Sequence, residues 1–210
     1  MKQKHFIDFH KGITFIYILS LINYYTAYAN VTIWIYLGLH GTYGVLWVLK
    51  SNIFPDKSWE QKTGIVYGFT ILMGLSLYWI SPWIIVSGYF NNGEMVEVPY
   101  YLFSIVIFLF GMGVFLHFSS DMQKHIYMKI SPGKLIQSEM FNKSRNINYF
   151  GELLIYTSFA LLSMHWIPII VLLLFIVIIW TPNMLKKDKS LSRYEDFEDY
   201  KKRSNLFWPR

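Results

Sequence analysis

The sequence contains no cysteine, which excludes disulfide bonds, thiolate catalysis and zinc–thiolate sites. Charge is also scarce, because Asp, Glu, Lys and Arg make up only 15% of the 210 residues, whereas soluble domains carry about 25%. No polar segment bears a basic stripe with interleaved aromatic residues, so we predict no nucleic-acid partner. The histidines His40, His117 and His165 lack metal-ligand spacing, so we predict no bound metal.

Apolar residues are abundant instead, at 54% of the chain, and they are grouped in long runs. A helix needs about 20 apolar residues to cross a bilayer core of about 30 Å. The run at residues 13–49 is therefore too long for one crossing, and it divides at Ala29-Asn30. We predict an all-α polytopic membrane helix bundle of about six transmembrane helices. The predicted crossings are residues 13–28, 31–49, 63–86 and 99–119, and a hairpin of two shorter helices within 148–180, broken at 165–168.

The basic residues are confined to alternate segments of this layout. All 19 Lys and Arg residues fall in the N-terminus, the loop at 50–62, the stretch at 120–147 and the tail after residue 180. The turn at Asn30, the loop at 87–98 and the break at His165 contain none. Because Lys and Arg favour cytoplasmic loops, both termini and every basic segment are predicted to be cytoplasmic. If the source is bacterial, the membrane would be the inner one.

Two acidic residues, Glu152 and Asp121, stand at the edges of apolar segments. An ionisable group at membrane depth indicates a functional site; alternatively, Glu152 lies in the headgroup zone and caps a helix N-terminus. Asn148 precedes Glu152 by one turn, so the two offer a donor and an acceptor on one helical face. Asp121 is predicted to end the fourth helix and to pair with Lys124. For Asp121, a ligand-binding role and an ordinary solvated helix end are equally supported.

A stripe of polar and aromatic residues runs along one face of the second predicted helix. His40, Tyr43, Trp47 and Lys50 recur at spacings of three and four residues, which places them on one helical face. A histidine in a membrane helix should face the interior of the bundle. The stripe is therefore either a substrate site or a packing stripe that ends in an interfacial lysine.

The tail mixes both charge signs between residues 193 and 203 and then ends in Leu206-Phe207-Trp208-Pro209. A solvated tail would not need this apolar anchor, so we predict a short amphipathic element that folds back on the cytoplasmic mouth. Lys189, Arg193 and Arg203 would bind a phosphorylated ligand by charge-assisted hydrogen bonds. Alternatively, they contact anionic lipid, with about 1 kcal/mol for each basic residue near the surface.

Three short motifs follow one another in the second half of the chain. They are Ser120-Asp121, then Asn148-Tyr149-Phe150-Gly151-Glu152, then Phe197-Glu198-Asp199-Tyr200 with Lys202 and Pro209 after it. In residue type and order they resemble motifs of the steroid 5α-reductase C-terminal superfamily. The chain looks most like bacterial members of unassigned substrate, and the resemblance does not extend to the first half.

The resemblance implies an NADPH-dependent membrane reductase of a C=C bond. Its substrate would be a lipophilic enone, steroid- or isoprenoid-like, that enters from the bilayer, and membrane lipids would be its other partners. Residues 1–119 of this single membrane domain would be the substrate-side helices, and residues 120–210 the cofactor-binding half. His40 and Tyr43 would supply the acid that stabilises the developing enolate. The implied cofactor-binding residues are Asp121, Lys124, Arg145, Asn148, Tyr149, Glu152, Lys189, Arg193 and Arg203.

The chain also departs from the superfamily pattern. His117 and Ser119 replace an Asn and a His, and residues 186–189 replace a His-rich run. The substrate-side Gln-Glu pair of the steroid enzymes is not evident in the first half, so steroid specificity is not implied. Isoprenylcysteine methyltransferases, which use S-adenosylmethionine, are similar in topology and tail, but their motif differs after Arg145 and at Glu152. A non-enzymatic membrane scaffold or lipid-binding protein is the third class, and the retained Glu152 disfavours it.

Overall fold

The computed structural model describes residues 1–210, and its regular structure is helical throughout, with no β-strand. Four stretches are long and apolar enough to cross a membrane: Val31–Ile53, Ile65–Ser87, Tyr100–Ile130 and Trp166–Leu191. The predicted all-α membrane helix bundle is thereby confirmed in its coarse form. The α-helices are α1 Gln3–Tyr24, α2 Val31–Ile53, α3 Ile65–Ser76, α4 Ile80–Ser87, α5 Tyr100–Ile130, α6 Ile147–Leu162, α7 Trp166–Phe175, α8 Thr181–Leu191 and α9 Phe197–Arg203.

Two of the long stretches change their winding next to a proline. A 3₁₀ turn at Leu77–Trp79 joins α3 to α4, and Pro82 follows it in the first turn of α4. A π-helical turn at Ile176–Trp180 joins α7 to α8, where Pro182 occupies the first turn of α8. Proline lacks the N–H group and collides with the carbonyl four residues earlier, so the helix adjusts its hydrogen bonding just upstream.

The predicted helix ends are wrong in two places. We predicted that the fourth crossing ends at residue 119, but α5 continues to Ile130. The polar residues after 119 include no helix breaker before Pro132-Gly133, and Gly133 has a positive φ of 79° that ends the helical path. Likewise, α1 starts at Gln3 instead of residue 13. The segment before residue 13 contains no proline, and its one glycine, Gly12, costs only about 1 kcal/mol in a helix, so the helix extends through these residues.

The chain forms two compact units. The first, unit 1, comprises Met1–Phe110 and Thr157–Val171, and the second, unit 2, comprises Gly111–Tyr156 and Leu172–Arg210. The boundaries fall inside α5, α6 and α7, so each unit takes part of these helices.

Within unit 1, the two basic segments meet at one end of α2. The backbone N–H of Lys4 donates to the carbonyl of Trp59 at 2.9 Å, and that of Thr63 donates to the carbonyl of Met1 at 2.9 Å. Lys2 and Lys4 both form ion pairs with Glu60. These ion pairs lower the pKa of the Glu60 carboxyl, the hydrogen bond from Lys2 being the largest cause.

The segments without basic residues meet at the other end of α2. Asn30 caps α2 by accepting a hydrogen bond from the N–H of Ile33 at 3.0 Å, and its amide donates to the carbonyl of Val96 at 3.0 Å. The rings of Phe90 and His165 lie 4.5 Å apart. In unit 1, segments of the same predicted side therefore contact each other.

Within unit 2, the C-terminal tail folds back on the stretch before α6. The N–H of Arg145 donates to the carbonyl of Asn205 at 2.9 Å, and the N–H of Asn205 donates to the carbonyl of Lys143 at 3.1 Å. Tyr200, only 1% exposed, donates its hydroxyl to the carbonyl of Phe141 at 2.6 Å. Burial raises the pKa of Tyr200 to about 12. Phe197 and Tyr200 of α9 pack with Leu135 in a small apolar core.

Candidate functional site

The backbones of α5 and α6 approach each other closely at two glycines. A Cβ atom on Gly113 would lie 2.7 Å from the carbonyl oxygen of Gly151, and one on Gly151 would lie 2.6 Å from the backbone nitrogen of His117. Real Cβ atoms do not come this close to backbone atoms, so only glycine fits at either position. The contact brings the second turn of α6 against the middle of α5.

A buried polar cluster lies beside this helix contact, formed by His117, Asp121 and Asn148. His117 is 2% and Asp121 7% exposed. The Nδ1 of His117 lies 3.2 Å from the carbonyl oxygen of Asn148, and its Nε2 lies 3.8 Å from Oδ2 of Asp121. The imidazole therefore has a carbonyl at hydrogen-bond distance on one side and a carboxylate nearby on the other. We name this group the His117 cluster.

The solvated-end interpretation of Asp121 is wrong. Asp121 lies nine residues before the end of α5 and is buried. No role in the site was predicted for His117 from the sequence. Its spacing of four from Asp121 places the two on one helical face, and that signal was available in the sequence.

Asn148 and Glu152 lie one turn apart on α6, which begins at Ile147. The capping interpretation of Glu152 is wrong, because Glu152 is half-buried in the second turn and the first turn holds no acidic residue. The Oδ1 atom of Asn148 is buried and accepts no hydrogen bond. Tyr149 packs with its ring centroid 5.6 Å from that of Trp180.

Arg145 was predicted to contact a cofactor, but its guanidinium is used inside the protein. Its Nε lies 3.0 and 3.1 Å from the two carboxylate oxygens of Asp188, and its Nη2 lies 2.9 Å from Oδ2. Its Nη1 donates to the carbonyl of Ser204 at 2.6 Å. Lys187 donates in turn to the carbonyl of Arg145 at 2.6 Å. The structure gives Arg145 the role of a clamp between α8, the tail and the start of α6.

The other predicted basic ligands lie at or near the surface of unit 2. Lys189, Arg193 and Arg203 are exposed, and Lys124 is half-buried on α5 one turn after Asp121. Arg203 donates to Gln137, and Arg193 donates to the hydroxyl of Tyr194 at 3.1 Å. The three exposed cations are accessible to an anionic ligand from solvent.

Comparison with known protein families shows the family to which the chain belongs. Residues 1–204 match the family described as "Protein of unknown function (DUF1295)". The chain belongs to this family. No curated protein matches it.

In this DUF1295 member, the predicted catalytic stripe of α2 lies in unit 1. His40, Tyr43, Trp47 and Lys50 are all buried, so they do share one inward face. The Nδ1 of His40 lies 3.0 Å from the hydroxyl of Tyr36, and its ring stacks on Phe159 at 4.3 Å. Lys50 is only 5% exposed, so its side chain faces the interior of unit 1 and not solvent.

Two further features of the stripe were not predicted. Lys11 of α1 is 3% exposed, and its ammonium lies 4.4 Å from the ring centroid of Tyr43. At the other end of the stripe, Trp47 and Lys50 line a cavity of about 280 Å³, a volume that includes its open mouth. Asp8 also lines this cavity and accepts a hydrogen bond from Ser51 at 2.7 Å.

Proposed function

We propose that this protein is a membrane reductase that uses NADPH to reduce the C=C bond of a lipophilic enone, steroid- or isoprenoid-like. The observation that carries the proposal is the His117 cluster. It unites Asp121 and Asn148, from two separate motifs that resemble those of the steroid 5α-reductase superfamily, at a helix contact that only glycine permits.

The residues of unit 2 fit a cofactor of this kind. NADPH combines amide and ring donors with several phosphate charges. The buried Oδ1 of Asn148 has no hydrogen-bond partner, so it offers an acceptor to a ligand N–H group. The exposed Lys189, Arg193 and Arg203 offer charge-assisted hydrogen bonds to phosphates. Arg145 would act indirectly, by holding the tail that carries these cations.

The chemistry would be divided between cofactor and protein. Bound NADPH would supply a hydride to the β-carbon of the enone. An acid of the protein, Tyr43 or His40, would place a proton on the substrate, so that the double bond becomes a single bond. A donor that is already oriented toward the developing enolate oxygen stabilises the transition state most effectively.

We propose six crossings with both termini in the cytoplasm. In this layout α1 and the short apolar helix α6 join the four long stretches. A reporter tag in the loop at 87–98 should then be accessible from outside intact cells, and a tag after Arg210 should be accessible only after the membrane is permeabilised. A protected 87–98 tag in intact cells would overturn this topology.

Cofactor binding is tested by thermal denaturation of the purified protein in detergent. NADPH should raise the melting temperature, since a ligand at 100 times its Kd stabilises by about 2.7 kcal/mol. S-adenosylmethionine should leave it unchanged. Glu152→Gln should abolish the response to NADPH, whereas Glu195→Gln, at an exposed position of the tail, should retain it.

The three candidate functions give different results in this assay. Stabilisation by S-adenosylmethionine alone would indicate a methyltransferase. A response to neither compound would favour the scaffold or lipid-binding role. An undiminished NADPH response in Glu152→Gln would show that Glu152 does not contact the cofactor.

A further inference from the structure

His10, in the first half of α1, is the most deeply buried imidazole that the proposed reaction does not use. The side chain is 2% exposed, yet neither Nδ1 nor Nε2 has a hydrogen-bond partner. A neutral imidazole always carries one N–H donor and one acceptor nitrogen. Leaving such groups buried and unsatisfied is costly, so a partner from outside the chain is expected.

The ring of His10 is held in place from one side. It stacks on the indole of Trp79 at 4.7 Å, with 16° between the ring planes. Tyr17 also stacks on Trp79, at 4.4 Å. The indole N–H of Trp79 donates to the hydroxyl of Thr14 at 3.0 Å, and that hydroxyl donates to the backbone carbonyl of His10 at 2.8 Å. The imidazole is therefore oriented, while its two nitrogens are left unused.

His10 also lies next to the catalytic stripe. A Cβ atom on Gly44 would collide with the backbone carbonyl of Lys11, so α1 and α2 touch at these two residues. Gly44 follows Tyr43 directly, and the ammonium of Lys11 lies over the ring of Tyr43. The contact between α1 and α2 thus brings the segment that carries His10 beside the proposed acid.

His10 differs in this respect from the predicted His40. The Nδ1 of His40 already has Tyr36 as a neighbour at hydrogen-bond distance, and its ring is covered by Phe159. His40 therefore has a hydrogen-bonding neighbour within the protein, whereas neither ring nitrogen of His10 has one. We propose that His10 binds the substrate, with its N–H donating a hydrogen bond to the carbonyl oxygen of an apolar ketone. This inference rests on the proposed reductase function and names the group that recognises the substrate's carbonyl.

The test uses the full-length protein in detergent and a steroid with a 4-en-3-one group, ¹³C-labelled at the carbonyl, as the probe. Infrared difference spectra should show the labelled carbonyl band red-shifted relative to the same steroid in hydrocarbon, because hydrogen bonding weakens the C=O bond. His10→Phe keeps an aromatic ring against Trp79 but removes the donor. It should abolish the red shift and weaken binding by roughly 5-fold, the value of one ordinary hydrogen bond.

His165→Phe is the matched control. His165 is also a stacked histidine of unit 1, 5.4 Å from Trp166, but it lies in a segment of unit 1 without basic residues. This variant should retain the red-shifted band. An unshifted band in the wild-type protein, a red shift that survives in His10→Phe, or no binding of the steroid at all would overturn the inference.

The melting temperature with NADPH separates this inference from the reductase proposal. If NADPH stabilises both the wild-type protein and His10→Phe while the carbonyl band is unshifted, the His10 inference fails and the reductase proposal stands. If NADPH stabilises neither, the reductase proposal itself fails, and the His10 inference fails with it. A melting curve without a cooperative transition would show that His10→Phe does not fold. In that case an unshifted carbonyl band in the wild-type protein would still overturn the inference.

Discussion

Gly113→Ala should lower the thermal stability of the protein and disrupt the His117 cluster. The added Cβ would lie 2.7 Å from the carbonyl oxygen of Gly151 and 2.9 Å from the backbone nitrogen of Ile155. These are backbone atoms, so α5 and α6 must separate to relieve the overlap. Overpacking of this kind costs about 1–3 kcal/mol. The separation should also pull His117 away from Asn148 and so abolish stabilisation by NADPH.

Gly111→Ala provides a closely matched control. Gly111 lies on the same helix, two residues earlier, and a Cβ atom there meets nothing within 4 Å. Because alanine favours the helix by up to about 1 kcal/mol over glycine, Gly111→Ala should be neutral or stabilising. Equal melting temperatures for the two variants would show that the contact between α5 and α6 is not tight.

Arg145→Lys should release the C-terminal tail, although it preserves the positive charge. Lysine cannot reproduce the fork that holds both Asp188 oxygens and the carbonyl of Ser204. The side chains of Arg145 and Asp188 are only 6% and 14% exposed, and each hydrogen bond to a charged group that lysine cannot remake costs about 1.5–3 kcal/mol. Limited trypsin digestion should cut faster at Lys201, Lys202 and Arg203 in the variant.

Lys202→Ala is the appropriate comparison for this experiment. Lys202 pairs with Asp199 at 2.9 Å, but the two side chains are 76% and 85% exposed, and exposed pairs contribute at most about 1 kcal/mol. Its melting temperature should change little, and cleavage at the remaining sites should keep the wild-type rate. If the tail of Arg145→Lys is cut no faster than that of Lys202→Ala, Arg145 does not hold the tail.

The long apolar helices could be predicted because they depend on local quantities. Hydropathy over about 20 residues decides which segments favour lipid, and each loop carries its own charge. The pairing of Met1 and Thr63, or of Asn30 and Val96, then agrees with the charge pattern. The predicted end of α5 is wrong because polarity alone does not stop a helix, which continues through polar residues until a breaker such as Pro132-Gly133.

The candidate site was only partly predictable, because its members are far apart in sequence. The segment from Asn148 to Glu152 was located by its motif. His117 acquires its role from the carbonyl of Asn148, 31 residues later, and Arg145 from Asp188, 43 residues later. No local pattern contains such pairs. The role of Arg145 as a clamp therefore depends on the folded position of the tail and cannot be read from the local sequence.

The return of the tail also imposes an order on biosynthesis. The ion pairs of Lys2 and Lys4 with Glu60 involve the first third of the chain, so they can form while the ribosome is still translating. The bonds of Ser204 and Asn205 to Arg145 and Lys143 involve residues that are synthesised well after their partners. Because chains fold from the N-terminus during synthesis, unit 2 is completed only once α9 and the residues after it have been made. A nascent chain that stalls before α9 would be inserted in the membrane but would lack the clamp.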